Sequence, residues 1–118
     1  ATVGRDHYGE NKGVFYDAVY FFQKLRQMGK QPEIVEMCHK LLGPVLRYDE
    51  EHKTQLTDTL RCLLVNNENV KKTAEQLFIH KNTVLQRKNK LTELFGYSPF
   101  DMPYRLNFLM IFDIMEKK

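Results

Sequence analysis

Two helical stretches, residues 70–78 and about 81–95, stand almost end to end, and the two residues between them force an abrupt corner. Helices that cross steeply through so short a turn need a small side chain where their backbones approach, and Ala74 supplies it. Leu77 and Ile79 flank the turn as apolar plugs for a core, and Val84, one turn into the second helix, meets them. Lys81, Thr83, Gln86, Arg87 and Lys90 are then left to face outward. This order of residues is the signature of a helix-turn-helix. Positive charge gathers on the same segment. Between residues 70 and 91 lie Lys71, Lys72, Lys81, Arg87, Lys88 and Lys90 against Glu75 alone, although the whole chain carries a formal charge of only +3.

The remaining sequence is helical in period, with weak strand signals throughout. A first helix is expected over 16–28 with Gly29 as its stop, and a second opens at Pro32 with Ile34, Met37, Cys38 and Leu41 on one stripe. Gly43-Pro44 should end that helix, leaving 45–48 as a short helical or turn piece. A third helix is expected over 53–65 with Leu56, Leu60, Leu63 and Leu64 in line, and Asn69 is a good N-cap for the helix at 70. Gly96 should close the helix begun at Lys81, and Asp101 can cap a last helix reaching about Met115. The expectation is an all-α domain of six to seven short helices, with no wing or sheet. Its parts are a linker, remnant or domain tail over 1–13, an N-terminal helical segment over 14–52, and a helix-turn-helix core over 53–118.

A cationic helix with hydrogen-bonding residues near its N-terminus suits the DNA major groove, which is wide enough to admit it. Lys71, Lys72, Arg87 and Lys90 would supply attraction to phosphates, and Lys81, Asn82 and Gln86 are the candidates for base edges. Thr83 is a candidate phosphate contact, Thr73 joins the set at the start of the corner, and His80 either caps the second helix or touches phosphate. A basic amphipathic helix is also what a plain solvated face looks like, and helix-turn-helix geometry serves structural roles too. The rival reading is therefore a helical interaction module that dimerises through its aromatic first helix, with DNA binding weakened or lost.

Three ordered blocks carry a resemblance. Leu42-Gly43-Pro44-Val45-Leu46-Arg47-Tyr48-Asp49 is followed by Leu56-Thr57-Asp58-Thr59-Leu60. Then come Asn69 and the run from Thr73 through Leu77-Phe78-Ile79-His80-Lys81-Asn82-Thr83. Together they resemble the C-terminal DNA-binding domain of PucR/CdaR-type bacterial transcriptional regulators, across roughly 16–115. The resemblance implies a regulator whose partner is double-stranded DNA and whose small-molecule effector binds elsewhere in a longer protein. With no signal-peptide pattern, bilayer span or disulfide framework, a cytoplasmic location is the default expectation. Two positions depart from the family pattern: Leu85 stands where an arginine is usual, and Lys88 where a core leucine is usual. Lys88 falls on the inward stripe between Val84 and Leu91, so its stem should pack while its ammonium reaches the rim or an acidic partner.

Other chemistry finds no footing. Cys38 and Cys62 lie among apolar helical positions and read as buried thiols, no metal-ligand spacing is present, and no cofactor is expected. His7, His39 and His52 are scattered and read as surface residues. Asp49, Glu50 and Glu51 lack a nucleophile or phosphate loop nearby and read as a solvated helix approach rather than as catalytic carboxylates, so no enzyme is expected. No apolar run is long enough to span a bilayer. The first helix carries apolar residues on more than one stripe, and Tyr20, Phe21 and Phe22 are candidates for a homodimer or interdomain contact.

Overall fold

The computed structural model describes residues 12–116, of which Lys12 and Glu116 are described in backbone only. Six α-helices are found among them, and no strand. They are α1 (Lys12–Met28), α2 (Pro32–His52), α3 (Leu56–Val65), α4 (Val70–Leu77), α5 (Lys81–Phe95) and α6 (Tyr104–Glu116). Most of the 1–13 segment, His7 included, lies outside the described residues. No described helix is long and apolar enough to cross a membrane.

The chain divides into two compact units, one ending at Glu36 and the other beginning at Met37. The division falls inside α2, earlier than the boundary expected at Lys53. The second half of α2 explains this, because Cys38, Leu42 and Val45 are core residues of the second unit. Within the first unit, α1 exposes most of its large apolar side chains, Tyr20, Phe21 and Phe22 included. Lys24 lies over the Tyr20 ring at 5.1 Å and Arg26 over Phe22 at 4.6 Å, so cations cover part of two of these rings.

In the second unit α3 is the central element, with α4, α5 and α6 all packed against it and α4 against α5. Leu60, Leu63 and Leu64 of α3 are buried to 1% exposure or less, and Val84, Leu91 and Phe108 close around them. Burying each such side chain contributes about 1.5–3 kcal/mol, so this stripe is the main source of the unit's stability.

Two helix boundaries differ from expectation. α2 runs through Gly43-Pro44 unbroken to His52. Pro44 removes one backbone donor, but Leu42 and Val45 on either side are buried to 1% or less, and that packing outweighs the lost bond. α3 begins at Leu56 instead of Lys53 because Lys53 is left-handed (φ 55°) and the chain turns there. Its start is capped from a distance. The Asp49 carboxylate accepts from the amides of Leu56 and Thr57, both at 2.8 Å, and from the hydroxyls of Thr54 and Thr57, both at 2.6 Å. Burial pushes the Asp49 carboxyl up, yet the four donors outweigh it and hold the group below the usual carboxylate range. The acidic run at 49–51 thus contains a structural cap. The cysteines are buried thiols, as expected, and burial pushes the Cys38 thiol up.

Candidate nucleic-acid interface

The corner between α4 and α5 is built from local signals. Asn69 caps α4, its side chain accepting from the Lys72 amide at 2.9 Å. At the other end the chain turns at Phe78, in the left-handed region, and its amide and that of Ile79 bond back to Glu75 and Ala74 carbonyls. His80 then caps α5, its Nδ1 accepting from the Asn82 amide at 3.0 Å. An accepting Nδ1 carries no proton, which leaves Nε2 as the ring nitrogen available to donate. Of the two roles expected for His80, this geometry shows the cap. Ala74 and Val84 are buried where the helices cross, while Leu77 and Ile79 are half-buried plugs. Gly96, left-handed at φ 81°, ends α5 as expected.

On the outer side, Lys71, Lys72, His80, Lys81, Asn82 and Gln86 are exposed and Thr83 is half-exposed. Seven polar side chains therefore gather at the N-terminal halves of α4 and α5, whose starts are both capped. Leu85 stands among them at 45% exposure. Lys90 lies one turn beyond Gln86, over the Tyr48 ring at 5.0 Å and paired with Glu93 at 3.1 Å. The Glu93 hydrogen bond holds its ammonium above the ordinary lysine range, and any phosphate reaching Lys90 must compete with that carboxylate. Gln86, Arg87 and Lys90 also line a cleft of about 390 Å³ that Tyr48, Lys53 and Gln55 complete.

Two candidates are placed differently from expectation. Thr73 is wholly buried, its hydroxyl accepting from the Asn66 amide group at 3.3 Å, so it serves the α3–α4 turn and offers nothing to a ligand. Arg87 is half-buried, its guanidinium donating to Thr59 Oγ1 at 3.1 Å, while the Thr59 hydroxyl donates to the Gln55 carbonyl at 2.9 Å. Arg87 follows Val84 by three residues and precedes Leu91 by four, which turns it toward α3 and away from the outer face. It pins α5 to the central helix.

Lys88 behaves as its position demands. Its ammonium reaches Glu68 at 2.9 Å and lies 5.4 Å over the Phe100 ring, and Arg105 from α6 reaches the same carboxylate at 3.4 Å. Glu68 and its neighbour Asn67 are both left-handed, at φ 64° and 54°, and Arg105 also donates to the Asn67 side chain. Sequence reasoning missed Glu68, whose place is fixed by a tight turn that periodicity does not reveal. Among the described residues, no group of three His, Cys, Asp or Glu gathers where it could hold a metal ion.

A helical core presenting a capped, cationic second helix past a three-residue corner defines a helix-turn-helix DNA-binding domain. The comparisons name the family: residues 56–114 match the PucR C-terminal helix-turn-helix domain, and the chain belongs to that family of transcriptional regulators. It is similar to the proline-responsive transcriptional activator PutR of Bacillus subtilis (strain 168), with 33% identity over 109 residues. That alignment covers 92% of this chain but 26% of PutR, so the chain spans about a quarter of its relative's length. No solved structure gives a significant match.

Proposed function

We propose that α5 enters the DNA major groove by its N-terminal half while α4 lies across the phosphate backbone. The supporting observation is the exposure of Lys81, Asn82 and Gln86 on a helix whose other face is anchored by Val84, Leu91 and Arg87. Lys81, Asn82 and Gln86 then meet base edges, Thr83 and His80 meet phosphate, and Lys71, Lys72 and Lys90 supply sequence-independent attraction. Arg87 contributes by holding α5 in place. The domain binds rather than catalyses, inside the cytoplasm, and a small-molecule effector is sensed elsewhere in the full-length protein. Its relative is, by name, a proline-responsive activator, which supports control by a small metabolite.

A salt series of duplex-binding measurements on the unaltered chain tests the reading. Affinity should fall with a log-log slope of about −0.9 per phosphate neutralised, and a flat line sinks the proposal. Gln86→Ala should change the preference among sequences by roughly 1–3 kcal/mol and leave the salt slope alone.

The exposed rings of Tyr20, Phe21 and Phe22 support pairing of two copies through α1, which would set two recognition helices about 34 Å apart on one face of the duplex. Sedimentation of the chain with Phe21→Asp and Phe22→Asp should then show monomers where the unaltered chain shows dimers.

A further inference from the structure

Phe78 is the most exposed large apolar side chain among the described residues, at 92%. It is also one of four non-glycine residues there with positive φ, at φ 58° and ψ 44°. A bulky residue in the left-handed region is an outlier, and a left-handed helix end is where glycine ordinarily stands. This chain places glycine in that role at the end of α5, where Gly96 has φ 81°. At the corner it places a phenylalanine. Among the described residues the ring meets no aromatic or cationic partner, so its exposure is not offset inside the molecule.

The position of the ring says what covers it. Phe78 precedes Lys81, the first residue of α5, by three residues, a span of at most about 11 Å. The major groove is about 12 Å wide, so a ring within that reach of an inserted Lys81 is close enough to meet the groove's wall. That wall carries apolar surface: the faces of deoxyribose and the methyl groups of thymine. On the chain's route into α5, the exposed His80 is the phosphate contact of the groove reading and the exposed Lys81 its first base contact, so both flank the same wall. We infer that Phe78 is a DNA-contacting residue, an apolar pad that the strained corner holds against the sugar-and-methyl side of the major groove. The inference rests on the groove-binding reading above and adds to it a contact of different chemistry.

Stability and binding should respond to Phe78 in opposite directions. Phe78→Gly relieves the backbone and removes the ring, and Phe78→Asn does the same with a residue that tolerates left-handed backbone. Both variants of the 118-residue chain should melt at or above the temperature of the unaltered chain. Both should also bind a labelled duplex about three helical turns long roughly tenfold more weakly, the effect of uncovering about half a phenylalanine side chain. Phe78→Leu, which keeps an apolar side chain, should retain most of the affinity. If Phe78→Gly and Phe78→Asn bind the duplex as tightly as the unaltered chain, the inference fails while the groove reading stands, and the ring belongs to a protein partner. If the unaltered chain shows no saturable, salt-dependent binding, the groove reading fails and takes this inference with it.

Discussion

The helices α3 and α5 begin in opposite ways. The first turn of α3 is closed by a carboxylate from the preceding helix, and Asp49 takes two amides and two hydroxyls at 2.6–2.8 Å. The first turn of α5 is capped by its own neighbour, an imidazole nitrogen that takes one amide and leaves cations around it. A helix start carries partial positive charge, which an anion satisfies. Where the start is structural, the chain supplies the anion itself. At α5 the chain withholds it and leaves the start open to an anion from outside, which the groove reading identifies as phosphate.

Asp49→Ala strikes the closed start and should have the largest effect. Two amides and two hydroxyls lose their acceptor, and unfolding in urea should show a loss of about 2 kcal/mol. Duplex affinity measured below the melting range should stay as it was. The same carboxylate gives an acid limb. Its folded-state pKa is depressed, so its stabilising contribution is complete above the unfolded carboxyl value of about 3.9 and is lost as the pH falls through the lower folded value. Asp49→Asn should flatten that part of the stability profile, and an unchanged profile would mean that the cap is not what titrates.

His80→Asp makes the open start resemble the closed one. Aspartate is among the best N-caps, so the domain should gain a few tenths of a kcal/mol. The added negative charge should weaken duplex binding about tenfold at low salt, by repelling phosphate. A gain in binding would show that α5 does not meet the backbone by its N-terminus. The stability gain is the smallest effect of the set, and the difference in sign is the informative part.

Much of this was legible in the sequence because the signals are short-range. Asn69 as a cap, Gly96 as a stop and Ala74 at the crossing follow from residue type and spacing within a few positions. Of the two outcomes expected for the Lys88 ammonium, the rim or an acidic partner, the structure shows the partner, Glu68. The misplacements come from longer-range packing. Asp49 acts on amides seven and eight residues away, which no local pattern marks. Thr73 and Arg87 are polar residues whose inward direction depends on partners at Asn66 and Thr59. Pro44 reads as a breaker until the burial of Val45 is known. Phe78 reads only as the last residue of the helix expected over 70–78, whereas its backbone is left-handed and its ring stands exposed.

The shared carboxylate of Glu68 has a consequence for inheritance and engineering alike. Lys88 on α5 and Arg105 on the final helix both lean on it, so on the groove reading the angle at which α5 is presented depends on a residue outside the proposed contacts. A change near the end of the chain would then alter operator choice by re-aiming the helix, with every groove-facing letter left intact.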